Sequence, residues 1–198
     1  MTSWKLSLGE KRDFIRLADW INKTPEGKQA NGVSDPVSIT GLEANWRTTR
    51  FLKDSSDEPL VAVYWKPLGD TGSYSAGIIA DSVRGHNLGG LAAGLLFLHL
   101  FHELNAHRVE VRTCVDNLST MRLLKSDMMR VEGILREAAF GAGRYRDIVV
   151  AALLRDEFDD RLNRGIFGRI GISNTAESAQ ARELFSRYYP QFAYWNES

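Results

Sequence analysis

One stretch, Ser73 to Leu104, narrows the possible folds of this chain more than any other: S-Y-S-A-G-I-I-A-D-S-V-R-G-H-N-L-G-G-L-A-A-G-L-L-F-L-H-L-F-H-E-L. It reads as a half-apolar strand, a short basic and Gly-rich turn from Arg84 to Gly90, and an apolar helix that opens inside that turn. Strand, loop, helix is an order suited to holding a phosphate. The backbone N–H groups of the loop and first helical turn have no internal partners, and the helix dipole adds partial positive charge there. Arg84 brings a full charge to the loop entrance. The first expectation is therefore a pyrophosphate-bearing cofactor docked at Arg84 to Gly90.

The 198 residues are enough for one compact domain with appendages. Lys plus Arg equals Asp plus Glu, 25 each, so the overall balance gives no reason to expect nucleic acid as a partner. Cys114 is the single cysteine and has nothing to pair with inside the chain, which fits a reducing compartment. The N-terminal Lys5, Glu10, Lys11, Arg12 and Asp13 stand where a signal peptide needs an apolar region. The longest apolar run, Leu91 to Phe101, is interrupted by His99 and is too short to span a bilayer. These features predict a soluble cytoplasmic protein with no membrane partner.

The remaining segments fall on both sides of that stretch. Trp4 to Leu8 reads as a short strand, and Phe14, Ile15, Leu17, Ala18 and Ile21 mark an amphipathic helix over Glu10 to Asn22. A long loop, Thr24 to Thr40, leads to one or two helical turns at Gly41 to Trp46. Strands at Thr48 to Lys53, Leu60 to Trp65 and Ser73 to Ala80 then follow in meander order. G-x-G-x-x-G is absent and no G-K-[ST] follows, which argues against a Rossmann domain and a P-loop enzyme. The helix after the Gly-rich turn extends to Leu104. Arg108 to Val115 alternates Arg, Glu, Arg and Cys with Val, Val, Thr and Val, so one side of that strand is buried.

Asp116 or Asn117 caps a helix from Leu118 to Ser126, and Met129 to Phe140 with Tyr145 to Leu154 form a last pair of strands. Beyond Asp156 the chain reads as irregular, then helical from Thr175 to Tyr189, and it ends in the aromatic Y-Y-P-Q-F-A-Y-W. That tail is expected to pack on the domain or at a homodimer interface. The whole is a mixed sheet with helices between only some strands.

Arg84 to Gly90 resembles the acetyl-CoA loop R-x-x-G-x-G/A of the GNAT superfamily of N-acyltransferases. Four later segments extend the likeness in order and spacing: L-N-A-H-R-V-E-V-R from Leu104, D-N-L-S-T-M-R-L-L-K-S from Asp116, E-G-I-L-R-E-A-A-F from Glu132, and G-R-Y-R-D-I-V-V-A-A-L-L-R-D-E-F from Gly143. Their wording is similar to the RimJ/RimL branch, which acetylates N-terminal amines of ribosomal proteins and includes small-molecule N-acetyltransferases. The resemblance implies an α/β fold with a mixed, mostly antiparallel sheet of six or seven strands, its central pair splayed, and flanking helices. It divides the chain into an acyltransferase domain at 1–158 and a C-terminal extension at 159–198.

The resemblance also implies site residues. Backbone groups from Ile78, Ile79 and Ala80 to Val83 would line the pantetheine arm of acetyl-CoA, the co-substrate. Arg84, Gly85, His86, Asn87, Leu88, Gly89 and Gly90 would hold its pyrophosphate, with Asn87 at the pattern's first glycine position. Asn tolerates a left-handed backbone better than other non-glycine residues, so the loop can still form. Asn117 matches the family's hydrogen-bonding partner of the pantetheine arm, and its alternative role is the helix cap. Glu110 matches a carboxylate used as general base, and its alternative is an ion pair with Arg108 and Arg112. Leu124 stands where many members carry a tyrosine acid. Leucine cannot protonate a thiolate, so the acid is another group, a water, or nothing, with Thr120 and Cys114 as the candidate groups. No metal is expected, because His99 and His102 have no further ligands beside them.

The function implied is transfer of an acetyl group to a primary amine, on a protein N-terminus or a small molecule. A CoA-binding sensor or partner-binding module without acetyl transfer is the alternative.

Overall fold

Alternating apolar residues build one sheet from β1 (Leu6–Leu8), β2 (Thr49–Lys53), β3 (Pro59–Pro67), β4 (Ser73–Ala80), β5 (Arg108–Cys114), β6 (Arg130–Gly141) and β7 (Arg144–Leu154). Helices among the described residues include α1 (Lys11–Lys23), α2 (Gly89–Leu98), α3 (Leu118–Lys125) and α4 (Arg155–Asn163), with a 3-10 turn at Trp46–Thr48. The computed structural model describes residues 6–23, 41–42, 44–81, 88–125, 128–141 and 143–164. Trp4 and Lys5, the loop Thr24 to Thr40, the helix expected at Thr175 to Tyr189 and the aromatic tail lie outside them.

The strand order is β1-β2-β3-β4-β5-β7-β6. All neighbours are antiparallel except β4 and β5, which run parallel. A parallel pair needs a crossover, and α2 supplies it. The mixed, mostly antiparallel sheet anticipated from the sequence is the sheet observed.

Neighbouring residues on each strand serve opposite faces. Leu52, Val61, Val63 and Trp65 pack with Leu96, Phe97 and Leu100 of the α2 region in the main core. Phe51, Ala62 and Ile79 pack with Phe14, Leu17 and Ile21 of α1 in a smaller core. We call these the α2 face and the α1 face. α1 is also fixed by charge: Asp13 Oδ2 accepts from the Glu10 backbone N–H at 2.8 Å and pairs with Lys53 Nζ of β2 at 2.9 Å. Both members of that ion pair are buried or nearly so.

Two elements differ from the sequence reading. The α2 helix does not run unchanged to Leu104, because its last turn widens to a π-helix at His99–Glu103. His99 packs there against Trp65, ring centroids 4.7 Å apart, and its Nδ1 lies 2.8 Å from Glu103 Oε2. α4 was not anticipated. It follows β7 directly, buries Phe158 and Arg161, and stacks Phe158 on Phe101 at 4.5 Å.

Candidate functional site

β4 and β5 pair at only three positions: Ser73 with Arg108, Tyr74 with Val109, and Ser75 with Glu110. Beyond these the strands part. β4 stays in register with β3 as far as Ala80, and β5 with β7 as far as Cys114. Each flank of the opening is therefore held by a complete antiparallel ladder. A sheet parted in its middle leaves backbone N–H and C=O groups of Ala76 to Ala80 and Val111 to Cys114 without each other. Such groups have to be satisfied by something else. Ligands of α/β sheets bind outside the carboxyl ends of parallel strands, and here both carboxyl ends lie at the open side.

The same side carries helix starts. β4 leads to α2, whose N-cap Leu88 makes no side-chain cap bond, and a Cβ added at Gly89 would meet nothing within 4 Å among the described residues. Among the described residues, the first-turn N–H groups thus have no cap from the Leu88 side chain and have room beside them at Gly89. Of the residues expected to bind the cofactor, Ile78 and Ala80 turn to the α2 face and Ile79 to the α1 face, all within the unpaired stretch of β4. Leu88, Gly89 and Gly90 open α2. Val83, Arg84, Gly85, His86 and Asn87 lie outside the described residues.

β5 leads to α3. Asn117 Oδ1 accepts from the Thr120 backbone N–H at 3.3 Å, so Asn117 does cap that helix. Its amide Nδ2 has no partner among the described residues and can still donate to a ligand at the mouth of the opening.

Glu110 sits on β5 at the last paired position and faces the α1 side. Arg108 Nη2 donates to its Oε2 at 2.9 Å and Arg112 Nε to its Oε1 at 2.7 Å. Burial alone would push the Glu110 carboxyl up, but the bonds and charges from Arg112 and Arg108 outweigh it and hold the group below the usual glutamate range. Arg108 also forks onto Glu132 of β6, with both bonds at 2.6 Å. The ion pair named as the alternative for Glu110 is therefore present. It leaves the carboxylate ionised near neutrality, which a base requires, and weakens it as a proton acceptor.

Strand alternation puts Cys114 on the same face of β5 as Glu110. Cys114 is 2% exposed, and burial pushes its thiol up, with Arg146 pulling the other way. Thr120 is half-buried on α3, whose Leu118, Met121 and Leu124 pack in the main core on the other face. The structure thus brings Glu110 and Cys114 to one side and Thr120 to the other. Leu124 is fully buried. In the β6–β7 hairpin, Arg144 and Arg146 both reach Asp116, whereas Asp147 accepts from the Glu137 backbone N–H at 2.8 Å.

Sequence reasoning passed over two residues beside the opening. Tyr64 of β3 lies over Gly77 of β4, where an added Cβ would be 2.2 Å from its Cζ and Oη. Burial pushes the Tyr64 phenol up to about 12. The signal was Gly77 itself, since a glycine inside a strand marks the close approach of another group. The second residue is Thr113, which is 4% exposed and has a buried Oγ1 with no hydrogen-bond partner among the described residues.

No family model matches the chain, and no curated protein matches it. Solved structures do. A spermidine N-acetyltransferase from Vibrio cholerae in complex with CoA and spermine is similar at a TM-score of 0.67 and 20% identity, over 78% of this chain and 97% of that one. A GNAT-family acetyltransferase from Bacillus anthracis is similar at 0.65 and 15%, over 77% and 95%. A ribosomal-protein-alanine N-acetyltransferase from Brucella melitensis is similar at 0.65 and 17%, over 75% and 98%. At these identities the likeness establishes the fold, which is that of the GNAT N-acetyltransferases.

Proposed function

We propose that this chain is an N-acetyltransferase that moves an acetyl group from acetyl-CoA to a primary amine. The observation that carries the proposal is the parting of β4 and β5 after Ser75 and Glu110, with both flanks firmly paired. The residues present fit the co-substrate: open backbone groups on both strands, a helix start with room at Gly89, and the donor Nδ2 of Asn117. The solved structures of the same fold support this reading, since one was determined with CoA and spermine bound.

When bound, acetyl-CoA supplies an activated thioester. The chain's own residues orient it and manage protons. The strand edges at Ile78, Ile79 and Ala80 guide the arm, and the segment from Arg84 to Gly90 meets the pyrophosphate. Glu110, ionised, is the proposed acceptor of the ammonium proton of the incoming amine. Cys114 Sγ and Thr120 Oγ1 are the protic groups proposed to act where Leu124 cannot. The wording of four segments favours the RimJ/RimL branch and, with it, a peptide N-terminus or a small amine as acceptor. We place the protein in the cytoplasm on the strength of its single thiol. The C-terminal extension at 159–198 is proposed to pack on the domain or across a homodimer.

The burial of leucine at position 124 favours one other reading, a CoA-binding module that transfers nothing. Incubation with acetyl-CoA and a panel of peptides and small amines, followed by titration of free thiol, separates the two. Acceptor-dependent thiol release is the expected result. Tight CoA binding without release across the whole panel would leave only the binding module.

A further inference from the structure

Thr113 stands on β5 in the stretch that β4 no longer covers. Alternation puts its side chain on the α2 face with Val109 and Val111, directly across from the fully buried Val149 of β7. Of the residues β5 turns toward this core, Val109, Val111 and Thr113, only Thr113 carries a polar atom. Its Oγ1 is buried with no hydrogen-bond partner among the described residues, its register partner Val149 is apolar, and the residues α3 sends into the core on this face are Leu118, Met121, Leu123 and Leu124. Valine has the same branched shape and the same liking for a strand, and would fill the place without a cost in unmet hydrogen bonding. Nothing in the packing of the described residues explains a hydroxyl here.

We propose that Thr113 Oγ1 hydrogen-bonds the pantetheine arm of CoA as the arm lies between β4 and β5. The inference rests on reading the opening as a CoA site. The arm carries amide N–H and C=O groups and a thiol, and a hydroxyl donates once and accepts twice, so it can serve any of them. The position agrees with this. Thr113 lies between Glu110, where the strands part, and Asn117, where β5 has given way to α3, so the three residues follow one edge of the opening from its closed end to its mouth.

The test measures unliganded stability and binding together, by thermal melting and by calorimetric titration with CoA and with adenosine bisphosphate, which lacks the arm. Thr113→Val is expected to melt at or above the wild-type temperature without ligand, because it removes an unmet buried hydroxyl. It is expected to bind CoA about fivefold more weakly, the worth of one neutral hydrogen bond, and to bind adenosine bisphosphate as the wild type does. Thr113→Ser keeps the hydroxyl and is expected to restore CoA affinity. A Thr113→Val protein that melts lower or fails to fold would mean that the hydroxyl already has an internal partner, and the inference falls. Unchanged CoA affinity, or equal weakening toward both ligands, also overturns it and leaves the CoA site standing. A wild-type protein that binds no CoA removes the site itself.

Discussion

β5 has two neighbours and meets them differently. Toward β7 it keeps seven residue pairs, from Arg108 with Leu154 to Cys114 with Ile148, and toward β4 it keeps three. The opening is therefore no failure of β5 to be a strand. Nor is it a failure of β4, which keeps seven pairs with β3. Two well-formed ladders diverge, and each holds its own edge of the gap in place. Such an opening is organised before a ligand arrives, so binding does not have to break backbone pairing first.

The largest test of that contrast is at Gly77. An alanine Cβ would meet the ring and hydroxyl of Tyr64, which cannot move like the end of a flexible chain. Gly77→Ala should cost about 3 kcal/mol, the upper end for overpacking, read as a lower denaturation midpoint. Combining it with Tyr64→Ala should return part of that loss. An unchanged midpoint would mean that β4 yields easily and its edge of the gap is not firmly held.

A smaller effect is expected where the strands part. Glu110→Gln should cost about 1–2 kcal/mol near neutral pH, less than breaking a fully buried pair, because Arg108 retains Glu132 and Arg112 is half exposed. The sign with pH follows from the lowered carboxyl. Its contribution is complete above the unfolded-state value and is lost as pH falls through the folded-state one, so wild type and variant should converge in acid. Denaturation at neutral and acid pH checks this. The acetylation rate of the same variant decides between base and ion pair, since full activity across the neutral range leaves only the ion pair.

The smallest stability change is expected at the mouth. Asp caps a helix as well as Asn does, so Asn117→Asp should move stability by no more than about 0.5 kcal/mol. It loses the Nδ2 donor, however, and CoA affinity should drop about fivefold. Calorimetric titration showing equal affinity would remove Asn117 from the site.

Side-chain patterning made much of this fold legible. The R-V-E-V-R-T-C run announced β5 and its two faces, and S-Y-S-A-G-I-I-A announced β4. α4 was not readable because R-D-E-F-D-D-R-L-N offers only Phe158 and Leu162 as apolar residues at helical spacing, amid charges. The parting of the strands leaves no mark in residue type, because it concerns backbone groups that every residue shares, and only the resemblance pointed to it. The candidate site divides in the same way. Glu110 and Asn117 were marked out by the resemblance, and Asn117 also by its position before a helix. Thr113 passed as ordinary β-branched filling, and its significance lies in what fails to surround it.

The short parallel ladder also has a mechanical meaning. The sheet amounts to two plates, β1 to β4 and β5 to β7, riveted at one corner by three residue pairs. Stiffness across the joint cannot come from backbone bonds along its open length. It has to come from the layer beneath, where Val63, Trp65 and Ala76 of one plate share a core with Val109, Val149 and Leu153 of the other, and where Phe97 and Leu100 also pack. That core sets how far the plates can flex, so a cavity cut there would change the compliance of the cleft even though the substituted residue never reached it.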